Sequence, residues 1–248
     1  MSSSEQGLVF EYPTEERIRN YLRLEFLFQR FHRVQNESYE DSHHFALLTL
    51  FEIVECATKG GLKLEILKDL ERQKKSCPQF NDELCVAIEN LQKIQHKIGQ
   101  NIRECNWLVN IKQRITVPGG TSSIDIPSYY LWRNLSFSQR QEYLQQWAST
   151  LEPTGEAISL LMKILRQNQT ETECVASHGN YILQSNHQAS NVHLMAVKLD
   201  SSFKKVMPEI SANKYMLHIR FIDTDFCGMR GTQVDYDVPF KLVIYNFD

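Results

Sequence analysis

Between residues 18 and 34 apolar side chains recur at intervals of three and four. Stepped at about 100° per residue, Tyr21, Leu24, Leu27, Phe28 and Phe31 fall on one side of a helix, and Arg19, Arg23, Arg30 and Arg33 on the other. Phe26 lies among those arginines. A short apolar run, Leu8-Val9-Phe10, precedes this segment and predicts a strand, with Thr14 placed to cap the helix and Glu15 and Glu16 suited to its amino-terminal dipole. A second helix is expected from Asp41-Ser42 to Lys59-Gly60-Gly61, where glycine closes it, and a third from about Leu62 to Lys75. Cys77-Pro78 interrupts the pattern, and Asn81 is a candidate cap for a stretch carrying Leu84, Ala87, Ile88 and Leu91. Gly99 marks a further boundary, after which a helix is expected to continue until it breaks at Pro118. Pro127 suits a helix start, Ser136-x-x-Gln139 reads as a capping box, and Pro153 belongs in the first turn of a helix reaching about Gln167.

The period changes after residue 170. Tyr181–Leu183, Val192–Leu199, Tyr215–Ile222 and Val238–Tyr245 are short, rich in branched and aromatic residues and partly alternating, with Gly, Asn and Asp between them. These are strands of an antiparallel sheet. The expected fold class is α+β, a mainly helical lobe followed by a small antiparallel β-sheet lobe. The expected boundaries are a helical domain over 13–170 and a β domain over 171–248, joined by an amino-terminal strand from 7–12.

Composition narrows the function. With 42% hydrophobic and 23% charged residues the chain is an ordinary globular protein, and its net charge of −3 argues against a general nucleic-acid binder. Met1 to Gln6 carry no charged start followed by an apolar run, and nowhere do eighteen apolar residues follow one another. The expectation is therefore a cytoplasmic chain with no membrane partner. The six cysteines are scattered without a close Cys-x-x-Cys pair, as in reduced thiols.

Charge is nonetheless uneven. Residues 17–33 hold five arginines against Glu25, a local +4, and residues 97–140 hold Lys97, Arg103, Lys112, Arg114, Arg133 and Arg140 against Glu104 and Asp125, again +4. Such unevenness steers an acidic partner. In the second segment helical steps bring Arg103, Trp107, Asn110 and Arg114 to one face, beside the rigid Val117-Pro118-Gly119-Gly120 turn. Spacing alone leaves two readings of that face open: a docking surface, or core around Trp107 with bases as its solvated border.

Catalytic signals are weak. Gly119-Gly120-Thr121-Ser122-Ser123 lacks the Gly-Lys-Ser/Thr ending and following long helix of a phosphate loop, and no Gly-x-Ser-x-Gly elbow is present. His43-His44 and Cys56 lack the spacing of a metal site, and Glu52, Glu55, Glu65 and Glu71 read as helix surface charge. No catalytic residue, metal or cofactor is expected. The rivals kept open are an enzyme using the Pro-Gly-Gly loop on phosphorylated ligands and an RNA-binding module using the arginine faces.

An ordered set of residues resembles the ZapD family of bacterial cell-division proteins. It begins Phe10-Glu11-x-Pro13-x-x-Glu16-x-x-Arg19-x-x-Leu22-Arg23-x-Glu25-Phe26. It continues with Gly99-Gln100-x-x-Arg103-Glu104, then Gln113-Arg114-x-x-x-Pro118-Gly119-Gly120-x-x-x-x-Asp125-x-Pro127, and Trp132. Trp147-x-x-x-Leu151, Ile210-Ser211-x-x-Lys214 and Ile219-Arg220-Phe221 complete it. The resemblance implies a non-enzymatic homodimer with a helical and a β lobe, which binds the carboxy-terminal tail of FtsZ and bundles its filaments at the mid-cell Z-ring. It implies a basic tail site at Arg19, Arg23, Arg103, Lys112, Arg114, Lys214 and Arg220, with Trp107 and Tyr130 as aromatic contacts. The chain departs from the family pattern at Asn106 and Tyr130, where the resemblance leads one to expect arginine and histidine.

Overall fold

The computed structural model describes residues 7–39, 41–94, 98–184, 192–213, 215–227 and 231–247. The fold is α+β, helices followed by antiparallel sheets. The chain divides into two compact units, Met1–Arg19 with Lys163–Asp248, and Asn20–Met162.

The second unit is helical. Helix α1 (Glu16–Val34) enters it with Tyr21, Leu24, Leu27, Phe28 and Phe31 buried, as the apolar period requires. It begins at Glu16, and the Glu15 carbonyl accepts its first backbone bond from Arg19, so Thr14 stands one residue before the cap position; its hydroxyl donates to the carbonyls of Val192 and His193, the latter at 3.0 Å. Helix α2 (Ser42–Ala57) buries Ala46, Leu47, Leu50, Phe51, Ile53 and Val54 over most of its circumference, which leaves a narrow exposed edge at Glu52 and Glu55. Its last residue precedes the glycines expected to close it. Gly61, at φ 87, instead opens helix α3 (Leu62–Ser76), a left-handed position that only glycine takes without strain.

A 3-10 turn at Pro78–Phe80 leads into α4 (Asn81–Lys93), where Asn81 is the first helical residue and not the cap. The long helix expected after Gly99 is two pieces, α5 (Gln100–Arg103) and α6 (Asn106–Ile115), interrupted at Glu104 and Cys105, and it ends before Pro118 is reached. Pro127 opens α7 (Pro127–Arg133), and α8 (Phe137–Ala148) carries the full Ser136–Gln139 capping box, each as the sequence predicts. Helix α9 (Glu152–Gln167) runs on towards the strands.

The other unit contains, in chain order, β1 (Leu8–Pro13), β2 (Gln169–Ala176), β3 (Asn180–Gln184), β4 (Leu194–Leu199), β5 (Val206–Ala212), β6 (Met216–Asp223), β7 (Thr232–Gln233) and β8 (Val238–Tyr245). One antiparallel sheet has the order β1-β4-β8-β2 and a second the order β3-β6-β5, with β7 paired to β6. Alternate residues of both sheets meet in one core: Met195, Val197, Phe240 and Leu242 from the first, Leu217, Ile219 and Phe221 from the second. On the other face of the first sheet Glu171 accepts from Lys198 at 2.6 Å and Lys241 at 2.9 Å, and those contacts hold its carboxyl down to about 2. Strands β2 and β5 escape the sequence pattern. Among the described residues both lie at sheet edges, where β2 tolerates alternating Thr and Glu and β5 tolerates Pro208.

A cationic face around helix α2

Two glutamates organise the basic segments of the helical unit. Glu52 and Glu55 lie three residues apart on the exposed edge of α2, so they project from one face of it. Glu52 accepts an ion pair from Arg30 of α1, whose Nε also donates to Thr49 Oγ1 at 3.0 Å. Glu55 accepts from Lys112 of α6 with Nζ at 2.8 Å. The two stretches of local +4 charge, some eighty residues apart in sequence, are thereby tied to the same edge of one helix. The sequence reading treats Glu52 and Glu55 as plain surface charge. Their signal was present, because they are the only two acids of the helix and stand at i and i+3 in its mainly apolar second half.

Of the residues singled out from the sequence, Arg23, Arg103, Lys112, Arg114, Trp107 and Tyr130 belong to this unit. Arg23 is exposed on α1, and Arg114 is exposed in the last turn of α6, where a cation also suits the helix dipole. Arg103 does not continue that helix face. It ends α5, and its guanidinium donates to the Ile98 carbonyl at 2.7 Å, so it fixes the loop that it leaves as well as presenting charge. Asn106, where a further arginine is expected, is the exposed first residue of α6.

Arg19 and Arg220 belong to the β-containing unit. Arg19 pairs with Glu16 at 3.3 Å, and Arg220 on β6 pairs with Glu209, its register partner on β5. Lys214 lies outside the described residues.

Trp107 takes part in both readings left open by its spacing. Its ring is half-buried against Trp147, Trp132 and Tyr129, with centroids 5.4, 5.9 and 6.4 Å away, and its indole N–H donates to Ser128 Oγ at 3.0 Å. It closes the outer side of a buried aromatic cluster. Tyr130 is different: on α7, it leaves 57% of its surface exposed, next to the still more exposed Leu131. Beneath it Tyr129 is buried with its hydroxyl against His44 Nδ1, and burial pushes the phenol up to about 12. His43 bonds the Gln35 carbonyl through Nε2 and receives Arg140 Nε at Nδ1, each at 3.0 Å. Both histidines are held below their ordinary pKa, chiefly by burial.

The Pro-Gly-Gly turn folds the chain back on the end of α6. The Gly120 amide donates to Val117 O at 2.8 Å and the Ser122 amide to Gly119 O at 2.9 Å, so two of the amides that a phosphate cradle would present are already bonded within the turn. A Cβ on Gly120 would stand 2.3 Å from the Arg114 carbonyl oxygen, which explains a glycine there by close approach of two backbones. The Val117 amide closes on the Arg114 carbonyl, and Ile124 is left on the outside of the loop.

What the two ion pairs offer chemically is a pair of cations, Arg30 and Lys112, held by carboxylates on one edge of α2, with Arg23 and Arg114 exposed on the same two basic helices. Among the described residues no group of three or more His, Cys, Asp or Glu side chains is placed to hold a metal ion, and no helix is long and apolar enough to cross a membrane.

Comparison with known proteins gives the chain its relatives. The family model described as "ZapD: Cell division protein" matches residues 22–220. The cell division protein ZapD of Ralstonia pickettii (strain 12J) is 37% identical over 254 residues, covering 97% of this chain and 100% of the relative. Those of Janthinobacterium sp. (strain Marseille) and Chromobacterium violaceum are also 37% identical, over 254 and 252 residues. The Chromobacterium alignment covers 96% of this chain and 99% of its relative. With a family match across most of its residues and full-length relatives at that identity, the chain belongs to the ZapD family of cell-division proteins.

Proposed function

We propose that this protein binds the carboxy-terminal tail of FtsZ through its basic face and, as a homodimer in the cytoplasm, cross-links FtsZ filaments at the mid-cell Z-ring without performing chemistry. The observation that carries the reading is that ion pairs from Arg30 of α1 and Lys112 of α6 tie the two basic segments to one edge of α2, and cations of that kind suit a short peptide with carboxylates. Arg19, Arg23, Arg103, Lys112, Arg114, Lys214 and Arg220 are the proposed tail contacts, and Trp107 and Tyr130 the proposed aromatic ones. Membership of a cell-division family supports a partner in the division machinery. Two copies, each holding one tail, join two filaments, and repetition along a polymer strengthens a weak single contact by raising the effective local concentration.

The test is bundling of FtsZ filaments, followed by light scattering and electron microscopy, with full-length FtsZ and with FtsZ lacking its tail. Bundles are expected only with the full-length protein. Equal bundling of the tail-less filaments would overturn the reading, and a verified monomeric variant that still bundles would overturn the bridge.

A further inference from the structure

The arginine face of α1 contains one residue that charge does not explain. Phe26 leaves 58% of its surface exposed, although the apolar side of the helix is complete without it in Tyr21, Leu24, Phe28 and Phe31. At helical steps, Arg23, Arg30 and Arg33 all fall within roughly 60° of Phe26 around the axis. A single exposed phenylalanine is ordinary on a protein surface. This one is held in place: the Arg30 guanidinium lies 5.5 Å from the ring centroid and is itself fixed by Glu52 and Thr49 of α2. The result is a preorganised aromatic platform with cations on both sides of it along the helix, Arg23 one turn before and Arg33 two turns after.

We infer that Phe26 is the apolar anchor of the tail site, seating an apolar side chain of the acidic tail against its ring while the neighbouring arginines take up carboxylates. This rests on the proposed tail binding and adds what the cations alone cannot supply, discrimination between an amphipathic acidic peptide and a merely acidic one. Charge complementarity selects the occupant: Arg23, Arg30 and Arg33 flank Phe26 and outnumber Glu52, the carboxylate that Arg30 holds, so the stripe attracts an acidic segment and repels a second copy of itself. Because Arg30 is fixed by α2 before any ligand arrives, little side-chain ordering remains to be done on binding.

The experiment is an anisotropy titration of two labelled peptides, the FtsZ tail and the same tail with its apolar residues replaced by serine and its acidic residues kept. Each is titrated with the wild-type protein, Phe26→Ala and Phe26→Leu, after circular dichroism has established that the variants are folded. Phe26→Ala is expected to weaken the natural tail about five- to tenfold, the range of a moderate interface anchor, with Phe26→Leu recovering most of the loss. The serine-substituted tail is expected to bind all three proteins alike. Unchanged affinity of Phe26→Ala for the natural tail, or an equal loss for both peptides, would overturn the anchor while leaving tail binding intact. Failure of the wild-type protein to bind the natural tail would overturn both.

Discussion

Glu55→Gln should tighten binding of the FtsZ tail, because Glu55 occupies in the free protein the cation that the tail is proposed to use. Lys112 Nζ stands 2.8 Å from Glu55 Oε1, with side-chain exposures of 41% and 63%. At that separation bare Coulomb attraction in water is about 1.5 kcal/mol, and exposed pairs of this kind contribute about 0.2–1 kcal/mol once screening and side-chain entropy are counted. Removing the carboxylate therefore costs the fold no more than about 1 kcal/mol and releases Lys112, for a gain in tail affinity of up to about fivefold. The assay is an anisotropy titration of the tail peptide at about 0.1 M salt, where the Debye length is about 10 Å. Glu65→Gln, an exposed glutamate on α3, makes the same change in net charge away from this pair and serves as the control. The gain should exceed that of the control and should vanish in the Glu55→Gln/Lys112→Ala double variant. Equal shifts for Glu55→Gln and Glu65→Gln, or a gain that persists without Lys112, would refute the argument.

Three further outcomes follow from the same geometry. Tail affinity should fall steeply between 0.1 M and 1 M salt, as the Debye length shrinks from about 10 Å to about 3 Å, and a flat titration would deny an electrostatic site. Gly120→Ala should lower stability by about 1–3 kcal/mol in denaturant unfolding, because its Cβ would stand 2.3 Å from the Arg114 carbonyl oxygen and the α6 terminus must move to admit it. His43 faces Arg140, and His44 faces Tyr129, Arg133 and Asp41; both folded-state values lie below the ordinary 6.5, so the unfolded chain binds more protons as pH falls past that value. Their contribution is present above pH 6.5 and is lost on acidification, so thermal unfolding should show a falling midpoint below about pH 6.5, with a shallower fall in His43→Gln.

Much of the fold was legible because its elements obey one period at a time. The apolar positions of α1 are those found buried, Pro127 and the Ser136–Gln139 pair start helices as their chemistry requires, and four strand segments stand where branched and aromatic residues cluster. Misreadings came from groups whose partners are distant in sequence. Thr14 has the right side chain for a cap, but the helix starts one residue too late for it, and its hydroxyl donates across to the carbonyls of Val192 and His193. Periodicity could not register the break at Glu104 and Cys105, since the residues on both sides remain helical and only the phase between Arg103 and Trp107 is lost. The site was legible as charge but not as arrangement. Local counts locate the basic segments, whereas the edge of α2 that joins Arg30 to Lys112 depends on tertiary packing of three helices.

The central claim is that cations of α1 and α6 capture the FtsZ tail, and its most direct test is titration of the labelled tail peptide with the wild-type protein and with Arg23→Glu/Arg114→Glu. Both side chains are exposed, so the variant should stay folded with a modest loss of about 1–2 kcal/mol, part of it at the end of α6 where Arg114 complements the helix dipole. Each lost charge-assisted contact is worth about 1.5–3 kcal/mol, and the pair should weaken binding at least about a hundredfold. Saturable binding by the wild-type protein with that loss in a folded variant is the predicted result. A folded variant that binds the tail as tightly as the wild-type protein would contradict the account.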